Sequence, residues 1–425
     1  CLDNFLSRSR PNLEEDLGAD LSSWGEDTLE AAIKVSSSLD GGYFCMQGPP
    51  GTGKTYVGSR VISSLVSQGY KIGIASNSHK AINNILEKVI EVMNENKIPG
   101  SISRIHGGQD DLYENPRIQL SRNIRQAEFD DDIKIVAGVA WTFANELMIN
   151  ELDYLLIDEA GQVSLANMVG MSRSCKNIIL MGDQMQLSQP TQGVHPENSG
   201  VSCLDYLLGE HATVPEDKGI LLPDTYRLHS DICKFISSRV YEGRLTSIDV
   251  TNKRKLHLKN DTLLKKSSGI TYIPVDHQGN EQSSFEEVSV INNLIKDLMS
   301  AKREDETGVI KKIQPEDILI VSPYNHQIKL LQETLGASFE IGTVDKFQGR
   351  EAPIVIISMA ASDIENAPRG AEFLLERNRL NVALSRAQTL AILVASPGLN
   401  HPSASSSTEM SLVNFYMDLV NYSMH

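Results

Sequence analysis

The chain has 425 residues, with 55 acidic against 39 basic side chains and a formal net charge of −16. That length suits two or three domains with sizeable cores, and the acidic balance excludes a protein that coats nucleic acid by bulk electrostatics, while leaving room for a local basic groove. No apolar run reaches the ~18 residues of a membrane span and residues 1–20 carry no secretory signal, so an intracellular, cytoplasmic setting is expected. The five cysteines, Cys1, Cys45, Cys175, Cys203 and Cys233, lie far apart without a C-x-x-C pair, which points to a reducing compartment and no zinc.

Cys1 stands where a Met would start a complete chain, so a piece of a longer protein is expected, with residues 1–25 a linker or fragment end. From residue 26 onward, short apolar strands alternate with helical patterns, the signature of parallel α/β domains. The first strand, Tyr43 to Met46, leads into Gly48-Pro49-Pro50-Gly51-Thr52-Gly53-Lys54-Thr55 and a helical pattern over Tyr56 to Val66. Further strands are read at Ile72 to Ala75, Ile133 to Val136, Tyr154 to Ile157 and Ile178 to Met181. Residues 99–131 are polar and weakly periodic, and are expected to form an insertion or surface excursion. The first domain is taken as residues 26–220 and the second as 221–425. The second has strands at Ile270 to Val275, Ile318 to Val321, Pro353 to Ile357 and Leu390 to Val394, and no phosphate loop of its own. Its densest positive stretch, Lys253-Arg254-Lys255 with His257, Lys259, Lys265 and Lys266, lies in a basic loop at 249–268 that reads as solvated more readily than as a nucleic-acid contact. His401 to Ser407 is a flexible connection to a last helix near Met410 to Tyr422.

The stretch Gly48 to Thr55 fits the phosphate-binding pattern G-x-x-x-x-G-K-[ST]. Its glycines let backbone N–H groups curl around phosphates, Lys54 neutralises the β and γ oxygens, and Thr55 is the usual hydroxyl ligand of Mg²⁺. Strand Leu155-Leu156-Ile157 ends in Asp158-Glu159, where one carboxylate can hold Mg²⁺ and its neighbour can polarise the attacking water. A third strand end leads into Gly182-Asp183-Gln184-Met185-Gln186-Leu187-Ser188-Gln189-Pro190, in which Gln186 is a candidate sensor of the γ-phosphate because an amide both donates and accepts. The loops after parallel strands are expected to converge on one site.

Taken in order, these motifs resemble superfamily 1 helicases, in the branch of the nonsense-mediated-decay helicase and the replication nuclease-helicase. The likeness runs through Ser76-Asn77-Ser78-His79-Lys80-Ala81, the Asp-Glu-Ala-Gly-Gln box at 158–162 and the Gly-Asp-x-x-Gln-Leu box at 182–187. It continues with Tyr226-Arg227-Leu228-His229, Pro323-Tyr324-Asn325-His326-Gln327, Gly342-Thr343-Val344-Asp345-Lys346-Phe347-Gln348-Gly349-Arg350-Glu351 and Asn381-Val382-Ala383-Leu384-Ser385-Arg386-Ala387. The resemblance implies two RecA-like parallel-sheet domains with ATP between them. It makes Lys54, Glu159, Gln186, Arg227 and Arg386 the hydrolytic residues, with Arg227 and Arg386 as arginine fingers. It places Tyr226 on the adenine, Gln348 and Glu351 near the γ-phosphate and ribose, and Thr55 with Asp158 on Mg²⁺. Ser76, Asn77, Pro323, Tyr324 and Thr343 would hold a single strand through its backbone. The chain departs from the family pattern at Val139, where relatives carry a threonine. It also has no separate upstream glutamine motif, since Gln47 adjoins the phosphate loop, and residues 1–40 leave no room for the β-barrel that relatives carry.

The sequences around Ser164-Leu165-Ala166-Asn167, Tyr241-Glu242-Gly243-Arg244-Leu245 and Arg377-Asn378-Arg379-Leu380 resemble bacterial proteins that fuse a RecB-like nuclease to this helicase. Such a nuclease would lie before Cys1. The expected function is an ATP-dependent helicase or translocase moving 5′ to 3′ on single-stranded DNA. An RNA helicase or ribonucleoprotein remodeller, and a nucleotide-switched scaffold, are the competing readings. The cofactors expected are ATP and Mg²⁺, and the partners are single-stranded nucleic acid and a fused or associated nuclease.

Overall fold

Continuous apolar runs such as Leu155-Leu156-Ile157 give a strand no polar face, so both of its sides must be covered. The computed structural model meets this demand in two units, Cys1–Pro223 and Asp224–His425. It describes every residue except 16–17, 107, 109–112, 128–130, 189–195, 197–198, 261, 366, 401–405 and 425, so part of the His401 to Ser407 connection and the Gln189-Pro190 end of the third strand-end loop lie outside the described residues.

The first unit holds β1 (Tyr43–Gln47), β2 (Ile72–Ala75), β3 (Ser101–Ile105), β4 (Ile118–Ser121), β5 (Ile133–Gly138), β6 (Leu152–Asp158), β7 (Cys175–Gly182) and β8 (Gly219–Leu221). They pair in parallel in the order β4-β3-β5-β2-β6-β7-β1-β8. Side chains alternate between two cores, as strand geometry requires. Phe44, Met46, Tyr154, Leu156, Ile179 and Met181 join the core that includes helices Thr28–Ser37, Lys54–Ser67 and His79–Glu95. Tyr43, Cys45, Leu155, Ile157, Ile178 and Leu180 join the opposite core, with helices Leu165–Ser172 and Cys203–Leu208.

Residues 99–131, expected as an insertion or surface excursion, include β3 and β4, which extend the edge of the sheet. Ser103 and Arg104 are fully buried within β3. Arg104 is held by His79 Nδ1 at 2.8 Å and Asn83 Oδ1 at 3.3 Å. Burial of the Arg104 guanidinium depends on these partners from another segment, which a local hydropathy pattern does not contain.

In the second unit, β9 (Asp224–Thr225) pairs with β10 (Thr246–Ser247), and β11 (Lys255–His257), β13 (Lys302–Glu304) and β14 (Ile310–Lys312) form a small antiparallel sheet. The main sheet is parallel, with β12 (Gly269–Pro274), β15 (Ile318–Val321), β16 (Glu340–Gly342), β17 (Ala352–Ser358) and β18 (Ala387–Ala395) in the order β12-β18-β17-β15-β16. Helices Phe285–Ser300 and Asn325–Leu335 contribute to its core with Ile320, Ile356 and Ile392. Helices Ser230–Val240 and Ser407–Met424 pack against β12, with Phe235 set 5.6 Å from Phe415 and 5.3 Å from Tyr422.

Most basic side chains among the described residues of 249–268 are paired. Arg254 meets Glu306 at 2.8 Å, while Lys255 and His257 meet Glu304 at 3.3 and 2.8 Å. Lys266 donates to the carbonyls of Ile270 and Ser423, at 2.9 Å each. Among the described residues no helix is long and apolar enough to cross a membrane.

Candidate nucleotide and nucleic-acid sites

Strands β2, β6, β7 and β1 lie side by side, and the carboxyl end of each runs into residues singled out in the sequence. Loops at this edge of a parallel sheet are where ligands bind. After β1, Gly51 and Gly53 take φ values of 76° and 80°, a left-handed backbone that side chains resist. Gly53 then caps the 14-residue helix Lys54–Ser67. Lys54 folds back over the loop, its Nζ donating to the Gly48 carbonyl at 2.7 Å. A Cβ on Gly48 would lie 2.1 Å from Lys54 Cγ, so only glycine fits there. Thr52 Oγ1 donates to the Pro49 carbonyl at 2.8 Å and closes the loop. A left-handed glycine loop at a helix N-terminus, with a lysine over it, is an anion cradle.

At the end of β6, burial first and the Glu159 charge second push the Asp158 carboxyl up to about 7, against the pull of Lys54 and the Glu159 N–H. Glu159 itself adopts φ 53° and ψ 42°. A left-handed glutamate is strained by roughly 1–3 kcal/mol and is retained where surrounding structure enforces it. Here the turn brings the Glu159 N–H to Asp158 Oδ1 at 2.9 Å. The loop after β6 also touches the loop after β7 through backbone, since a Cβ on Gly161 would lie 2.6 Å from the Asp183 carbonyl oxygen.

Asp183, 3% exposed, organises that second loop. One of its oxygens accepts from Gln186 Nε2 at 2.7 Å, the other from Met185 N at 3.1 Å and Gln47 Nε2 at 3.3 Å. Gln47 is fully buried and also donates to the Ala212 carbonyl at 2.9 Å and accepts from Val214 N at 2.7 Å, so it ties β1 to the loop before β8. Sequence reasoning passed over Asp183 although it lies in the same box as Gln186. The available signal was a carboxylate three residues before an amide at a strand end.

The donor set at Thr55 and Asp158 is one hydroxyl and one carboxylate. It fits Mg²⁺ shared with phosphates and water, because that ion rarely takes an all-protein cage. Among the described residues no group of three or more His, Cys, Asp or Glu is placed to hold a metal unaided.

In the second unit the structure brings Arg227, Glu351 and Arg386 together. Arg227 Nε pairs with Glu351, and its guanidinium donates to the Ser385 carbonyl at 3.2 Å. Gln388 Nε2 donates to the other Glu351 oxygen at 2.8 Å. Burial pushes the Glu351 carboxyl up, but the Arg227 charge and these bonds outweigh it and leave the group below its ordinary value. Arg386 is 2% exposed, and its guanidinium donates to the carbonyls of Val382, Phe347 and Arg350 at 3.2, 3.5 and 3.1 Å. Gln348 follows Phe347 and is half-buried, whereas the Tyr226 ring is 59% exposed.

Glu351 and Arg386 immediately precede β17 and β18, while Pro323 and Thr343 follow β15 and β16. In a parallel sheet those are opposite edges, so the residues expected for nucleotide and those expected for nucleic acid are separated within this unit. Tyr324 is 5% exposed, its hydroxyl donating to the Pro368 carbonyl at 3.4 Å and its ring 5.6 Å from Phe373. In the first unit, Ser76 is buried, and its Oγ has no hydrogen-bond partner among the described residues. Asn77 is exposed and donates to the Gln162 carbonyl.

An AAA-domain family model matches residues 29–196, and a second AAA-domain model matches residues 200–398. The chain is 27% identical over 396 residues to the DNA replication ATP-dependent helicase/nuclease JHS1 of Arabidopsis thaliana, covering 88% of this chain and 29% of that protein. It is 30% identical over 394 residues to the DNA replication ATP-dependent helicase/nuclease dna2 of Schizosaccharomyces pombe, covering 87% of this chain and 27% of that protein. The DNA polymerase alpha-associated DNA helicase A of the same yeast is 27% identical over 406 residues, 80% of this chain and 59% of that protein. The chain thus spans less than two thirds of the length of each of these relatives.

Proposed function

We propose that this chain, which matches AAA-domain models over residues 29–196 and 200–398, is a superfamily 1-like ATP-dependent helicase or translocase moving 5′ to 3′ on single-stranded DNA. The observation that carries this reading is the convergence of the Lys54 loop, Asp158, Glu159 and Gln186 on the carboxyl ends of three neighbouring strands, β6, β7 and β1.

Lys54 and the N–H groups of Gly51 to Thr55 bind the β and γ phosphates. Thr55 and Asp158 would hold Mg²⁺, which would supply positive charge beside the transferring phosphoryl group. Glu159 takes the proton of the attacking water. Gln186 orients that water with its carbonyl oxygen, because its amide nitrogen is committed to Asp183. Arg227 and Arg386 stabilise charge developing on the phosphoryl oxygens. Tyr226 stacks on the adenine, with Gln348 and Glu351 at the γ-phosphate and ribose. Ser76, Asn77, Pro323, Tyr324 and Thr343 form the path of the strand, with Tyr324 supporting the loop from inside. The 5′ to 3′ polarity follows the family resemblance. The DNA preference follows the names of relatives that are DNA replication helicases. An intracellular site of action and a nuclease module elsewhere in the full-length protein belong to the same proposal.

Strand displacement on 5′-tailed and 3′-tailed duplexes tests it directly. Unwinding with ATP from the 5′ tail, lost in Glu159→Gln while ATP still binds, is the expected result. Unwinding from the 3′ tail alone overturns the polarity, and stronger stimulation of ATP hydrolysis by poly-U than by poly-dT overturns the DNA preference.

A further inference from the structure

The chain has two tryptophans, and their environments are opposite. Trp24 is 5% exposed, whereas Trp141 is 82% exposed. Large aromatic rings normally gain burial or a partner. Among the described residues, Trp141 has no ring, cation–π or side-chain hydrogen-bond partner.

Its backbone is nevertheless fixed. Trp141 lies in the short helix Ala140–Phe143 directly after β5, between Ala140 and two buried anchors, Thr142 at 5% and Phe143 at 1% exposure. Thr142 N donates to the Val139 carbonyl at 2.9 Å, and Ala144 N to the Ala140 carbonyl at 3.0 Å. The turn therefore presents the indole to solvent from a rigid base, which lowers the entropy lost when a ligand covers it.

The position of that turn identifies the ligand. Ala75 of β2 is the register partner of Gly138 of β5, so the exit of β5 lies one strand spacing from the exit of β2. The β2 exit carries Ser76 with its buried, unpartnered hydroxyl, then the exposed residues Asn77 and Lys80. Beyond β5 along the same edge, β3 ends before His106 and β4 before the exposed Arg122. One half of the carboxyl edge, at β6, β7 and β1, thus holds the nucleotide residues. The other half carries a hydroxyl, an amide, basic side chains and one bare indole. Hydroxyls, amides and cations bind phosphate groups, and an exposed ring binds the face of an unpaired base. A protein partner anchored on a tryptophan would want an apolar rim around it, whereas the strand exits on this half of the edge carry Ser76, Asn77, Lys80, His106 and Arg122.

We propose that Trp141 is a stacking platform for one base of a single strand bound along this half of the edge. The proposal rests on the reading of the chain as a single-strand-binding protein and adds a base-requiring contact to a backbone grip. Stacking of this kind tolerates any base but requires one.

The test uses the full chain and an oligo-dT strand. Strand binding should quench tryptophan emission in the wild type and leave the emission of Trp141→Phe, which reports buried Trp24, unchanged. By anisotropy of the end-labelled strand, Trp141→Ala should bind at least about five-fold more weakly, with Trp141→Phe between the two. A strand with abasic sites should bind wild type as weakly as oligo-dT binds Trp141→Ala, and that variant should not distinguish the two strands. If the wild type binds oligo-dT tightly but Trp141→Ala matches it, or if abasic sites cost the wild type nothing, stacking is overturned and single-strand binding stands. If the wild type binds no strand, the underlying reading falls with it.

Discussion

Asp183→Asn tests how the third strand-end loop works. In the wild type, one carboxylate oxygen takes the Gln186 amide at 2.7 Å and the other takes Met185 N at 3.1 Å. Met185 N is backbone and can only donate, so the single carbonyl oxygen of an asparagine must stay with it. The new amide nitrogen then faces Gln186, and the Gln186 carboxamide must turn over to offer its oxygen. A charge-assisted hydrogen bond becomes a neutral one, and the contact from Gln47 Nε2 at 3.3 Å weakens. The fold should lose only about 1–2 kcal/mol, read as a lower urea midpoint. The effect on hydrolysis should be larger, because the reversed Gln186 now presents a donor where it had presented an acceptor. We expect the kcat of strand-stimulated ATP hydrolysis to fall at least ~10-fold, about 1.4 kcal/mol of barrier, with the KM for ATP nearly unchanged. Wild-type kcat in a variant of normal stability would show that Asp183 does not set the Gln186 carboxamide.

Three further perturbations have defined outcomes. Gly161→Ala puts a Cβ 2.6 Å from the Asp183 carbonyl oxygen, so the loops after β6 and β7 must part. About 1–3 kcal/mol should be lost in urea unfolding, and an unchanged midpoint would refute the close approach. Arg386→Ala removes a buried guanidinium from three carbonyls. It should cost about 2–3 kcal/mol of stability and, where the variant remains folded, reduce hydrolysis by orders of magnitude, whereas normal turnover would take Arg386 out of the site. Glu351, held below its ordinary carboxyl value of 4.5, contributes stability that is present above that value and lost as pH falls through its lowered one. The stability gap between wild type and Glu351→Gln should therefore be flat well above the ordinary value of 4.5 and close as pH falls below it, and a gap that widened in acid would reverse the sign of the argument.

Local features were read correctly where the chemistry itself is local. A strand buried on both faces announces itself in five to eight consecutive residues, as β1, β6 and β7 do. The edge strands β3 and β4 did not, since β3 buries the polar residues Ser103 and Arg104 and β4, Ile118–Ser121, has no buried residue. Arg104 depends on His79 and Asn83, more than twenty residues earlier. The basic run at 253–266 was visible as charge, but its acidic partners Glu304 and Glu306 belong to another part of the chain.

The Gly48 to Thr55 stretch by itself determined the phosphate loop, because its shape comes from glycines adopting left-handed backbone within eight residues. The same stretch could not say that β6, β7 and β1 lie side by side, that Glu159 is held in a left-handed turn, or that Gln186 is committed to Asp183. Nor does any local pattern mark Trp141 as bare and Trp24 as covered. Strand order and the covering of a side chain are set by contacts between segments tens to hundreds of residues apart. Only the folded chain, having met the entropy cost of closing those loops, decides which segments meet.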